Sequence, residues 1–273
     1  MPKTPASLDA PERVSESEEI DALTSPDFMT SLARGLAVLR AFSDQRRSLT
    51  IAQISHRTGI SRAAVRRCLH TLCTLGYAEA DGNQFALQSK VLTLGYSYLS
   101  STPLTVSTAP YLNRISRTLN ESCSLAVLQE DEILYVARSA TSRIMSVSLN
   151  TGSRLPAYCT SLGRVMLAQL APEELDAYLA RVRLKAYTDK TVVSAARLRT
   201  ILDEVRVAGY ALNDQELEEG LRSLAVPVRG ASGNVLAALN VGVQASRVSA
   251  ARMIKDFLPV LREGARELSV LLP

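Results

Sequence analysis

A chain of 273 residues with 31 Lys and Arg against 27 Asp and Glu carries a formal net charge of +4, with 47% apolar and only 5% aromatic residues. That length predicts about two domains, each large enough to bury its own core. No apolar run approaches the roughly 18 residues of a membrane span and no apolar signal core opens the chain, so the expectation is a cytoplasmic protein with no membrane partner.

Cys68, Cys73, Cys123 and Cys159 include no Cys-x-x-Cys pair and lie in apolar patterns, which predicts reduced thiols and no metal site. The positive charge is unevenly spread. Residues 1–27 hold seven acids against Lys3 and Arg13, whereas residues 31–90 hold nine Lys or Arg against Asp44, Glu79 and Asp81. A basic segment of that kind is the electrostatic footprint of phosphate binding.

Residues 1–27, rich in Pro, Ser and acids without an apolar period, read as a disordered leader. A first helix follows over Ser31–Phe42, its Leu32, Leu36, Val38 and Leu39 able to cover whatever comes next. Thr50 and Gln53 form a capping-box pair for a second helix, Gly59 can take the positive φ that ends it, and Ser61 can cap a third. Two short helices about a tight turn make a helix-turn-helix. On the third helix Val65, Cys68, Leu69, Leu72 and Leu75 share one stripe, leaving Ala63, Arg66, Arg67 and His70 on the other side. Arginine can bond phosphates or the two acceptors of guanine, and alanine lets the backbone approach. The bland alternative is a solvated basic face. Residues expected to meet DNA are Arg34, Thr50, Ser61, Arg62, Ala63, Arg66, Arg67 and His70. Alternating strands on both sides of Asp81-Gly82 then add a wing, closing a module at 28–89.

Residues 90–102 read as a linker helix whose Leu92, Tyr96 and Leu99 need an apolar partner, and two-fold association fits because helix-turn-helix proteins read paired half-sites. The remainder, 103–273, is predicted as an α+β domain with helices on one face of an antiparallel sheet. Its elements are a helix to Leu119, strands Ser122–Gln129 and Ile133–Ser139, a strand at Ile144–Leu149, and a loop from Arg154 entering a helix at Thr160 or Ser161. Helices starting at Pro172 and Ser194, a strand Tyr210–Asn213, a hairpin of Ser223–Val228 with Val235–Val243, and a closing helix from Ser246 or Ser249 complete it.

Tyr158, Thr160 and Ser161 beside a helix start supply the few polar groups a ligand pocket needs, and backbone N–H groups there could hold a carboxylate. Equally, Thr160 or Ser161 could simply cap the helix. Ser223 and Asn240 stand in apolar strands, where an unpaired polar group costs about 1–3 kcal/mol. Glu216 belongs to a solvated acidic loop or accepts a hydrogen bond from a ligand hydroxyl. Catalysis is the rival class, but the two histidines, His56 and His70, both lie in the basic module, leaving no histidine base for Cys123 or Cys159. An architectural DNA binder would leave roughly 170 residues unexplained.

From about Met29 onward the chain resembles the IclR family of bacterial transcriptional regulators. The matching segments are Ser31 to Leu39, Leu49 to Gly59, the Leu155-Pro156 to Gly163-Arg164 loop, and Gly220 to Val228. Ala157-Tyr-Cys-Thr-Ser161 and Asp214 to Ser223 are similar to the subgroup governing protocatechuate, 4-hydroxybenzoate and β-ketoadipate catabolism. The resemblance implies a winged helix-turn-helix joined to a GAF-like effector domain, working as dimers or tetramers on operator DNA without a cofactor. It implies a pocket lined by Tyr158, Thr160, Ser161, Leu162, Asn213, Glu216, Ser223 and Asn240, with Gly242 nearby. The glyoxylate-responsive member differs at Asn213, Asn240 and Gly242, which implies a different, larger effector. An activator that contacts RNA polymerase is expected; a repressor answering a small aliphatic acid is the alternative.

Overall fold

A computed structural model describes residues 28–42, 46–95, 108–140 and 149–270. The leader at 1–27, residues 96–101 of the linker helix, the start of the helix expected from Pro103, and all but the last residue of the strand expected at Ile144–Leu149 lie outside the described residues. The chain divides into two compact units, Met1–Tyr98 and Leu99–Pro273.

In the first unit, α1 (Thr30–Arg40) precedes β1 (Ser48–Thr50), α2 (Ile51–Thr58), α3 (Arg62–Thr74), β2 (Ala78–Asp81) and β3 (Gln84–Leu87). Thr50 and Gln53 form the reciprocal capping box, Gly59 ends α2 at φ 69°, and Ser61 accepts the Ala64 N–H at the start of α3. Val38, Leu49, Ile54, Val65 and Leu69 make the core. Three apolar positions depart from the expected stripes. Leu75 is the C-cap of α3 and stands 52% exposed, and α1 buries Ala37, Val38 and Ala41 while Leu32 and Leu36 face outward. The wing has three strands in the order β1-β3-β2, Ser48–Thr50 pairing with Gln84–Ala86. Ser89–Val91 is a 3₁₀ turn, and residues 92–95 are helical.

The second unit holds α4 (Ala109–Leu119), β4 (Ser122–Gln129), β5 (Glu132–Ser139), β6 (Arg154–Pro156), α5 (Ser161–Leu167), α6 (Pro172–Arg181) and α7 (Ala195–Ala208). Next come β7 (Ala211–Asp214), β8 (Leu221–Arg229) and β9 (Val235–Gln244), and the closing helix ends in α8 (Leu258–Ser269). That helix enters through a π-helical turn over Met253–Phe257, where Pro259 cannot donate to the residue four before it. Arg154–Pro156, expected as loop, is an edge strand paired with Glu132–Leu134.

The six strands form one antiparallel sheet in the order β6-β5-β4-β9-β8-β7. Helices cover both of its faces, not one. Cys123, Leu125, Leu224, Val226, Leu239 and Val241 pack against α4 and α8, whereas Ala126, Tyr135, Ala225 and Ala238 pack against α5, with α6 and α7 beyond. Strands buried on both sides lose the simple polar alternation, which is why β8 and β9 are apolar almost throughout.

Candidate functional site

On the first unit, Arg62, Ala63, Arg66, Arg67 and His70 are all exposed along one side of α3, and Ser61 stands exposed at its start. No acidic side chain lies on α3 itself. Arg34 on α1 is half-buried and close enough to Cys68 that its charge opposes the burial that raises that thiol. Thr50 is half-buried with its hydroxyl committed to the Gln53 N–H. The geometry is a helix whose packed side is anchored by Val65, Leu69 and Leu72 and whose free side presents guanidinium groups around a small residue.

The second unit holds a small, partly enclosed cavity of about 40 Å³. Its floor is the α5-facing side of the sheet, and the register sets polar residues there in two rows. In one, Arg138 pairs across to Ser124 and Ser124 to Asn240. In the next, Ser122 pairs with Gly242, Gly242 with Ser223, and Ser223 with Asn213. Leu149, Leu155, Leu217 and Leu221 form apolar walls, and Cys159 and Thr160 come from the loop ahead of α5. Tyr135 lines one side, its burial pushing the phenol up to about 12, so it stays protonated. Burial likewise pushes Cys159 up to about 12, which leaves a neutral thiol.

Of the eight residues expected to bind an effector, Thr160, Asn213, Ser223 and Asn240 line this cavity, and Tyr158, Ser161, Leu162 and Glu216 stand behind it. The Ser161 hydroxyl donates to Ser223 Oγ at 2.8 Å, and Asn213 Nδ2 donates to the Cys159 carbonyl at 3.0 Å. Tyr158 donates its hydroxyl proton to the Lys185 carbonyl and accepts the Lys185 N–H. Leu162 is fully buried in the core beneath α5. Glu216 is no solvated acid: both its oxygens accept from Arg164, at 2.5 and 2.6 Å, and one also accepts the Val192 N–H. Arg164 Nε in turn donates to the Tyr158 carbonyl.

The start of α5 is tightly built. Thr160 Oγ1 takes the Gly163 N–H, and Gly163 sits so tightly on Ala157 that an added Cβ would lie 2.2 Å from its carbonyl oxygen. Thr160 is thus the cap of this helix, as one of the two expectations had it. The sequence reading passed over Arg138 and Tyr135. They face the cavity together because β5 carries a bulge: Ala126 pairs with Tyr135 and Leu125 with Ala137, leaving Val136 extra. Among the described residues no cluster of His, Cys, Asp and Glu could hold a metal ion, and no helix is long and apolar enough to cross a membrane.

A DNA-reading helix on one unit and a polar-floored ligand cavity in the other define a ligand-responsive transcriptional regulator. Residues 31–82 match the family described as IclR helix-turn-helix domain and residues 96–270 the one described as bacterial transcriptional regulator IclR C-terminal. The chain belongs to the IclR family of regulators. It is 54% identical to the Pca regulon regulatory protein of Pseudomonas putida, over 98% of this chain and 93% of that one. It is 39% identical to the p-hydroxybenzoate hydroxylase transcriptional activator of Acinetobacter baylyi, over 92% and 94%. A crystal structure of an IclR homolog complexed with 4-hydroxybenzoate, from Microbacterium hydrocarbonoxydans, superposes with a TM-score of 0.76 at 25% identity, covering 89% of this chain and 98% of that one.

Proposed function

We propose that this regulator activates an aromatic-acid catabolic operon, binding operator DNA as a homodimer or dimer of dimers and engaging RNA polymerase there. Its effector is an organic acid of the 4-hydroxybenzoate, protocatechuate or β-ketoadipate kind. The acid's polar groups meet Thr160, Asn213, Ser223 and Asn240, while Tyr158, Ser161, Leu162 and Glu216 hold that wall from behind. Arg62, Ala63, Arg66, Arg67 and His70 read the operator from the major groove, with Arg34, Thr50 and Ser61 nearer the phosphates. Effector occupancy shifts an equilibrium between operator-binding states, by no more than its differential affinity for the two.

The observation that carries this reading is the cavity floor, where hydroxyls and amides face empty space inside an otherwise apolar domain. Polar groups on that floor offer a ligand hydrogen-bond partners within apolar walls. The names of the two relatives favour aromatic acids, and that of the second favours activation. A thermal-shift screen against the three acids tests the reading. One of them raises the unfolding midpoint in proportion to the logarithm of its concentration. If none does, the sensor reading is wrong.

A further inference from the structure

The cavity holds a cation with no counter-ion among the described residues. Arg138 reaches its wall from β5, half-buried, and its Nη1 donates to Ser124 Oγ at 2.9 Å. Its Nε is buried and has no hydrogen-bond partner, and no carboxylate of the described residues pairs with it. The titratable groups that act on it are Tyr135 and Cys123, both kept neutral by burial. Arg164, also on this side of the sheet, shows the other outcome: its guanidinium is closed bidentately by Glu216.

An unpaired buried guanidinium is costly, and the natural complement of its free edge is a planar anion. Ser124 occupies the Nη1 corner, so the donors left without a partner among the described residues are Nε and Nη2, the side-on pair that matches a carboxylate with two parallel N–H donors. The floor fixes what lies beyond. Asn240 is two strands from Arg138, about 10 Å at ~4.8 Å per strand, and Ser223 and Asn213 lie further on the same side. A ligand seated on Arg138 therefore runs its far end toward hydroxyl and amide groups.

We propose that Arg138 is the anion anchor of this cavity, taking the effector's carboxylate on its Nε edge, with Ser124 holding the guanidinium in place. The inference rests on the effector reading above and adds to it the orientation of the bound acid. It also makes the site selective for the ionised acid over its neutral analogue.

Calorimetric titration of the full chain with 4-hydroxybenzoate, protocatechuate and β-ketoadipate, each beside its carboxamide, tests it. The wild-type protein is expected to bind the acid about 10- to 100-fold more tightly than the carboxamide. Arg138→Gln is expected to remove that preference, lowering acid affinity by the same factor and leaving carboxamide affinity within about threefold. Arg138→Lys restores part of the preference, keeping the charge without the fork. Equal binding of acid and carboxamide by wild type, or a parallel loss of both in Arg138→Gln, overturns the anchor and leaves the cavity reading standing. Failure of all three acids with wild-type protein removes both. Should Arg138→Gln not fold, the wild-type ratio and Arg138→Lys decide.

Discussion

Two arginines on opposite faces of the second unit's sheet, Arg222 and Arg138, are treated in opposite ways. Arg222, on the side packed by α4 and α8, is met at every corner. Its Nε and Nη2 donate to the two oxygens of Asp214 at 2.9 and 3.0 Å, and Nη1 donates to the carbonyls of Ala245 and Val248. Arg138, on the cavity side, has one hydroxyl and an orphaned Nε. The same contrast runs through the strands, whose apolar side is a closed row of Leu and Val and whose cavity side shows Ser, Asn and Gly. Two sides of one set of strands have been put to different uses, one to bury area and one to keep polar groups waiting.

The largest effect that would blur this contrast is expected at Glu216. Glu216→Gln leaves the Arg164 guanidinium buried and short of charge, which costs about 3–5 kcal/mol. It should also loosen the loop at 188–192, because the Val192 N–H donates to a Glu216 carboxylate oxygen. Urea unfolding measures the first effect and effector titration the second; an unchanged midpoint would show that the pair is not needed. On the apolar face Leu125→Ala opens a cavity in a fully buried position and costs about 2–5 kcal/mol, yet the folded fraction should keep its effector affinity. A selective loss of effector binding in Leu125→Ala would erase the division between the faces.

Arg66→Ala on the exposed side of α3 is expected to cost about 1–3 kcal/mol of operator affinity without altering unfolding. Competition with scrambled DNA separates two contacts. Relaxed base preference means guanine readout, and uniform weakening means phosphate contact. Ser223→Ala and Ser161→Ala each break the hydroxyl pair at the cavity floor, a change of about 0.5–1.5 kcal/mol in effector affinity. Operator binding without effector should stay near wild type in both; its loss would mark the pair as structural only.

How much of this was legible in the sequence differs between the units for a physical reason. The helix-turn-helix is written in local signals. Thr50, Gln53, Gly59 and Ser61 each act within four residues of their partners, and each does in the structure what its residue type predicts. Only β1 escaped, being three residues long and paired with a strand some 36 residues away. The cavity is non-local. Thr160, Asn213, Ser223 and Asn240 stood out as polar residues in apolar surroundings or through the family resemblance, but strict alternation along β5 from Ile133 puts Arg138 on the opposite face. The bulge at Val136 turns it round, and nothing in those eight residues announces a bulge. Glu216 misled for a related reason: its partner Arg164 is 52 residues away.

The smallest effect concerns Asp214, the partner of Arg222. Burial alone would raise its carboxyl, but the hydrogen bonds from Arg222 and Gln215 overcome that and hold it below the usual carboxylate range. A carboxylate depressed in the folded state contributes stability that is complete above its unfolded value and is lost as pH falls through the folded one. Asp214→Asn should therefore destabilise at neutral pH and converge with wild type in acid. The gap stays below about 1 kcal/mol, since the Asp214 side chain is 38% exposed and solvent screens the pair. Urea midpoints compared from pH 7 down to the acid limit read this directly, and a gap that is absent at pH 7 or does not shrink on acidification would mean that Arg222 is held by the Ala245 and Val248 carbonyls and gains nothing from the carboxylate. In that case the apolar face, too, would carry an arginine kept for something other than its ion pair.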